Sequence, residues 1–316
     1  MAATKMIAVR LSHAANPINL YSITKPSPVE DIQQKRRTHL LQACERLNSN
    51  QHLVNFDHLG VDTLKKMNHI FVLDKLKILY CYIPKAGCTT MKKILLVLNG
   101  NIKTTNIEHE TVHKLADTHF PLLRKYSLED AKVRLKTYRK LIFVREPFSR
   151  ILSAYRDKLD LNGSCRNKYW SRKINEHANE EVTRDNDFNL TFVNFVQYLG
   201  NLSNKLNIPK EEHWREFHRL CYPCHVPYDF IGHFETFCED VREGVQKIVD
   251  GVEIDIPQSS NPTKSSYSGM LSKYYSQVSS TQLQSLYKRL ETDIEIFNYQ
   301  VPTFIADRIN TSVSRR

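Results

Sequence analysis

The chain has 316 residues, with 45 Lys and Arg against 34 Asp and Glu for a formal net charge of +11, and 41% of it is hydrophobic. That apolar share excludes a wholly disordered chain, and only nine glycines exclude collagen-like or Gly-rich low-complexity architectures. The surplus positive charge asks for an acidic partner: nucleic acid, an anionic membrane, an anionic polysaccharide or a phosphorylated cofactor.

Residues 1–36 are polar and punctuated by Pro17, Pro26 and Pro28, which predicts a flexible lead-in. Its one apolar run, Met6 to Val9, is too short for a signal peptide, and no stretch of the chain reaches the ~18–20 apolar residues of a membrane span. Leu40, Leu41, Ala43 and Leu47 recur at helical spacing and predict a helix over Gln33–Asn48. The run Lys75–Ile83 (KLKILYCYI) reads as a buried strand. It ends in Pro84-Lys85-Ala86-Gly87-Cys88-Thr89-Thr90, and Met91–Leu98 then has helical period up to an Asn99-Gly100 stop.

A second strand–loop–helix unit follows. Leu128–Tyr138 is predicted helical with Ser127 as N-cap, Lys140–Val144 is a buried strand, and Pro147 suits the first turn of a helix over Phe148–Leu159. Two such units imply a parallel sheet with helical crossovers. Residues 160–190 carry no period and read as an excursion. Further elements are a helix over Phe192–Leu199, a strand over Tyr228–Phe234 and a long helix over Thr281–Phe297.

Seven cysteines leave at least one thiol unpaired within a monomer. Cys221-Tyr-Pro-Cys224 has the spacing of a redox motif or half a zinc site, but no second such pair follows, so a local disulfide or buried thiols are expected. Asn162, Asn189, Asn201 and Asn310 head N-x-[ST] sequons.

The chemistry concentrates at the two junctions. A helix N-terminus offers unpaired N–H groups and partial positive charge, so a strand–loop–helix turn is a ready anion site. Gly87 permits close backbone approach, Thr89 and Thr90 add hydroxyls, and Lys85 adds a mobile charge. The nucleotide-kinase loop G-x-x-x-x-G-K-[ST] is absent, because Lys85 precedes the glycine. At the second junction, Arg145 ends a strand where open parallel sheets bind ligands, and Ser153 lies two turns into the next helix. Together they suit a phosphate group.

IPKAGCTT after a strand, with FVREPFSRILSAYRDKL, resembles the two nucleotide-binding elements of sulfotransferases that use 3′-phosphoadenosine-5′-phosphosulfate (PAPS). LYCYIPKAGCTTMKKIL, EEHWREFHRLCYPCHVPYDFIGHFET and YYSQVSSTQLQSLYKRLETDIEIFNY extend the resemblance over about residues 37–299. By these motifs the chain most resembles the membrane-anchored carbohydrate sulfotransferases, the chondroitin/dermatan 4-O- and glucuronyl 3-O-sulfotransferase group. The resemblance implies an α/β, P-loop-like three-layer fold with a central parallel sheet flanked by helices. It implies a lead-in over 1–36, a catalytic domain over 37–300 and a tail over 301–316.

By the same resemblance, Lys85, Ala86, Gly87, Cys88, Thr89 and Thr90 would wrap the 5′-phosphosulfate, with Lys85 neutralising the leaving phosphate. Arg145 and Ser153 would hold the 3′-phosphate. Met91 stands where the family usually has an aromatic residue. A base is expected between the two elements, an interval that holds His109, His113 and His119; spacing favours His113, with His109 and Glu110 as rivals. His213, Trp214 and Arg215 could meet a sugar, or Trp214 could be core. Thr263, Lys264, Ser265 and Ser266 could close over the adenosine end. The resemblance implies PAPS as donor without a metal, and sulfation of the 4-OH of N-acetylgalactosamine in chondroitin or dermatan, with 3-O-sulfation of terminal glucuronic acid or 4-O-sulfation of N-glycan N-acetylgalactosamine as alternatives. It implies an anionic glycan acceptor, no nucleic acid and a type II membrane protein of the Golgi lumen, although no anchor is visible in the sequence. Outside that family, a non-catalytic polyanion-binding protein would use the same charge.

Overall fold

The computed structural model describes residues 28–47, 56, 59–160, 167–177, 190–201, 211–245, 256–257 and 268–313. Its centre is a four-stranded sheet in the order β1 (Ile70–Leu73), β2 (Ile78–Cys81), β3 (Arg139–Val144), β4 (Phe230–His233). The strands β2, β3 and β4 are parallel, as the repeated strand–loop–helix pattern requires. The edge strand β1, which the sequence reading did not identify, pairs antiparallel with β2 and makes the sheet mixed. IFVL is too short to declare a period, and only its register with β2 fixes it as a strand.

Every residue of β1 and β2 is buried, so both faces are covered and alternation shows in the packing instead. Ile70, Val72, Leu79, Ile142, Val144 and Ile231 point into a core shared with Leu40 and Ala43 of α1 (Pro28–Leu47) and Ala131 and Leu135 of α5 (Leu128–Thr137). Phe71, Ile78, Tyr80, Leu141 and Phe143 point the other way, against Met91, Ile94 and Leu95 of α3 (Cys88–Leu98) and Val112 and Ala116 of α4 (His109–His119). The short α2 (Val61–Lys66) precedes β1. In α3, Met91 is fully buried.

A third core is almost wholly helical. It joins α6 (Pro147–Lys158), α7 (Lys168–His177), α8 (Phe192–Gly200), a turn around Trp214, and three helices after α9 (Phe217–Cys221) and α10 (Phe237–Asp240). These are α11 (Ser268–Tyr275), α12 (Ser280–Ile296) and α13 (Thr303–Val313). Ser127 caps α5 by accepting from the Asp130 N–H, as expected, and Ser279 with Gln282 forms a full capping box on α12.

Three expectations change. α1 begins at Pro28, inside the expected lead-in, and Gln33 is buried with its amide bonded in both directions to the Ile231 backbone. The tail is a helix whose Ile305 and Ile309 enter the third core. Cys221 and Cys224 do not pair locally: Cys44 bonds Cys224 and Cys81 bonds Cys221. Tyr222 takes a left-handed turn (φ 50) between the two cysteines, which directs one to α1 and the other to β2. With both sulfurs in disulfides, neither is a zinc ligand. No helix among the described residues is long and apolar enough to cross a membrane.

Candidate active site

The parallel strands end on one edge of the sheet, and the loop after β2 turns there into α3. Lys85 (φ 69) and Gly87 (φ 80) both adopt left-handed backbone, so the chain folds back and aims the first turn of α3 outward. The N–H groups of that turn have no acceptor within the helix. At Gly87 a Cβ would sit 2.7 Å from the Phe237 ring, so the loop lies flush against it and only glycine fits. Ala86 is buried, while Cys88, Thr89 and Thr90 are half-buried on the open side.

Arg145 follows β3, only 4% exposed, and donates to the Lys85 carbonyl at 3.0 Å. The two elements read from sequence are therefore joined directly. Its guanidinium lies 4.3 Å from the centre of the Phe234 ring. Burial pulls its pKa down to about 10, against the opposing charges of Glu235 and Glu146, so it stays a cation at neutral pH. Glu146 caps α6 by accepting from the N–H groups of Phe148 and Ser149. Ser153 is 1% exposed on α6 and shares a helix face with Ser149 and Asp157.

Lys85 reaches Asp157 at 2.9 Å, and Lys158 reaches the same carboxylate oxygen at 3.2 Å. Burial lowers the Lys85 pKa and Asp157 opposes that shift. At Asp157 burial works upward, but Lys85 and then Lys158 hold the carboxyl down to about 2. The loop lysine is thus a fixed cation beside the first turn of α3.

The wall opposite α3 is α4. His109 and His113 lie one turn apart with rings 4.7 Å apart, and both address Thr89. Thr89 Oγ1 is 3.3 Å from His113 Nε2 and 3.4 Å from His109 Nε2. On its far side, His113 Nδ1 is 3.1 Å from Lys92 Nζ. Burial, then Lys92, holds the His113 pKa down to about 3. His109 is also lowered by burial and by Lys158, with Asp157 opposing. Glu110, the carboxylate rival, is exposed next to His109.

Sequence reasoning missed four residues. Arg150, fully buried, donates to the carbonyls of Pro84, Glu212 and Arg215 and bolts the loop to the 211–215 turn. Its signal is an arginine on the apolar face of an amphipathic helix. Asp157 had the i+4 spacing from Ser153; Lys92 and Phe237 carried no sequence signal. The turn brings His213 near His113, with His213 Nδ1 paired to Glu211. Trp214 is fully buried against Trp170 and Phe195, so it is core and stacks on no sugar. Thr263, Lys264, Ser265 and Ser266 lie outside the described residues, as do Asn162 and Asn189.

Two strand–loop–helix junctions, a loop packed tightly at Gly87 and a buried arginine that donates to that loop meet at one end of the α/β sheet. The sulfotransferase family model matches residues 68–300, and the chain belongs to that family. It is 32% identical over 313 residues to carbohydrate sulfotransferase 9 of Homo sapiens, covering 94% of this chain and 68% of that one. Carbohydrate sulfotransferase 10 of Xenopus laevis is 34% identical over 287 residues, covering 86% and 77%. Carbohydrate sulfotransferase 11 of Danio rerio is 29% identical over 279 residues, covering 87% and 78%. No solved structure gives a significant match. The chain is a PAPS-dependent sulfotransferase of the carbohydrate-modifying group.

Proposed function

We propose that this enzyme sulfates the 4-OH of N-acetylgalactosamine in chondroitin or dermatan, with the donor held at the β2–α3 and β3–α6 junctions. The observation that carries the site assignment is Thr89: it stands in the first turn of α3 and also within reach of two imidazoles. A donor loop and a base wall therefore meet at one hydroxyl. The choice of acceptor rests on the motif wording of the 4-O-sulfotransferase branch. The +11 charge suits both a multiply charged nucleotide and a polyanionic sugar.

Lys85 and the first-turn N–H groups of Cys88, Thr89 and Thr90 would surround the 5′-phosphosulfate, and Arg145 with Ser153 the 3′-phosphate. PAPS supplies the sulfuryl group: the acceptor oxygen bonds to sulfur as the bond from sulfur to the 5′-phosphate oxygen breaks, leaving adenosine 3′,5′-bisphosphate. Lys85, locked by Asp157, stabilises the negative charge that builds on the leaving phosphate. The acceptor's proton passes to an imidazole of the His109–His113 pair. Two disulfides suit an oxidising compartment, in keeping with a Golgi-luminal enzyme.

Transfer of radiolabelled sulfate from PAPS across desulfated chondroitin, dermatan, glucuronyl-terminated and N-acetylgalactosamine-terminated N-glycan acceptors tests the substrate. Incorporation at the 4-position of chondroitin or dermatan is expected; labelling confined to the other acceptors refutes it. Arg145→Ala should weaken adenosine 3′,5′-bisphosphate binding at least 100-fold by calorimetry, and undiminished binding would remove Arg145 from the donor site.

A further inference from the structure

The contact between Lys92 and His113 is not explained by donor binding. Lys92 lies on α3, 3% exposed, with its ammonium 4.6 Å from the centre of the Tyr82 ring and 5.1 Å from that of Phe71. An ammonium has three donors and no acceptor, so the Lys92–His113 hydrogen bond has one polarity: Nζ donates and Nδ1 accepts. A neutral imidazole that accepts at Nδ1 carries its proton on Nε2. That nitrogen faces Thr89 Oγ1 at 3.3 Å, so His113 is the donor in this contact and the hydroxyl the acceptor.

A base needs an open lone pair and room for a second positive charge. His113 has neither, because its one lone pair is occupied by a cation that would repel the imidazolium. We infer that Lys92 is a positioning residue that fixes His113 as a neutral Nε2–H donor, and that His109 is the imidazole that takes the acceptor's proton. His109 is exposed at the start of α4 and presents Nε2 to the same hydroxyl.

The charges on the surrounding elements fit this division. His113 is faced by Lys92 of α3, His109 of its own helix, Lys158 of α6 and His213 of the 211–215 turn, and all of them oppose its protonation. His109 is faced by Lys158, Lys85 and Lys93, but also by Asp157, which favours its charged form. In the reaction the acceptor O–H proton goes to His109 Nε2 as the oxygen–sulfur bond forms. His113 keeps its proton throughout and holds the Thr89 oxygen; the threonine hydroxyl hydrogen, which faces His109 Nε2 in this structure, turns to an oxygen of the donor on binding and frees that lone pair for the acceptor's proton.

This inference rests on the donor-loop and histidine-wall reading above, and its test separates the two. In the unmodified protein labelled with ¹⁵N-histidine, the long-range ¹H–¹⁵N pattern of His113 should be that of the Nε2–H tautomer and unchanged from pH 5 to 8. In Lys92→Met the pattern should shift to a mixture of the Nδ1–H and Nε2–H tautomers, with thermal protection by adenosine 3′,5′-bisphosphate retained as the check on folding. For turnover, glutamine places an amide donor near the Nε2 position but cannot take a proton. His113→Gln should lower kcat by no more than about 10-fold, whereas His109→Gln should lower it at least 100-fold and abolish the acidic limb of the pH profile, both with unchanged KM for PAPS. A His113 that titrates or carries its proton on Nδ1 in the unmodified protein overturns the inference. So does a His113→Gln enzyme as inactive as His109→Gln. Failure of the bisphosphate to bind the unmodified protein would instead overturn the donor-site reading itself.

Discussion

Removing the Cys44–Cys224 bridge by a Cys44→Ala/Cys224→Ala double substitution gives a stability change that the topology sets. The bridge spans 180 residues of sequence, and Cys81–Cys221 spans 140 inside it. Because the two are nested, the outer bridge closes only a ring of about 40 residues once the inner one exists: the stretch from Cys44 to Cys81 plus the Cys221–Cys224 turn. The chain-entropy relation assigns that ring about 4 kcal/mol and a lone 140-residue loop about 5 kcal/mol. Loss of either bridge alone should therefore cost about 4 kcal/mol, and loss of both about 9 kcal/mol. The second figure rivals the ~5–15 kcal/mol total stability of a typical domain. Guanidinium titration of the parent, each double-cysteine variant and the quadruple variant reads these values directly. Single-bridge variants should remain folded with lowered midpoints, and the quadruple variant should be largely unfolded at 37 °C. A single-bridge variant with an unshifted midpoint, or a quadruple variant as stable as the singles, would refute the nested-loop argument.

Asp157→Asn strands Lys85 as a buried cation and should cost about 3 kcal/mol at neutral pH. Since the folded Asp157 pKa lies near 2, below its ordinary value, its contribution is present above about pH 4 and fades as pH falls toward 2. Melting temperatures of parent and variant should converge over that interval, and a gap constant with pH would count against the ion pair. Gly87→Ala places a Cβ against the Phe237 ring at a positive φ and should cost about 1–2 kcal/mol in thermal melts. It should also weaken bisphosphate binding at least 10-fold; equal affinity would show that the loop tolerates displacement.

How legible the site was depended on sequence distance. The candidate loop's strand–loop–helix setting was readable because its parts are contiguous: KLKILYCYI, PKAGCTT and MKKILLVL spell the junction in order. Arg145 was readable for the same reason. Asp157, Arg150 and Lys92 were not, since each acts on a partner far away in sequence: Asp157 and Lys85 are 72 residues apart, Arg150 and Pro84 are 66, Lys92 and His113 are 21. The apolar helix face around Arg150 and the i+4 spacing of Asp157 from Ser153 hint at burial, but nothing local names the partner of any of the three. The C-x-x-C spacing suggested a local pair for the same reason: two thiols three residues apart look like partners until α1 and β2 are packed beside them.

The sequence by itself determined the parallel strand–loop–helix units, because these depend on hydrophobic period and turn chemistry within a few residues, and its ordered motifs carried the resemblance that identifies the family. The tertiary structure alone decided the antiparallel edge strand, the disulfide pairing, the burial of Trp214 and the contact of Lys92 with His113. Those depend on which side chains meet across the sheet and between helices, and such meetings leave no periodic trace along the chain.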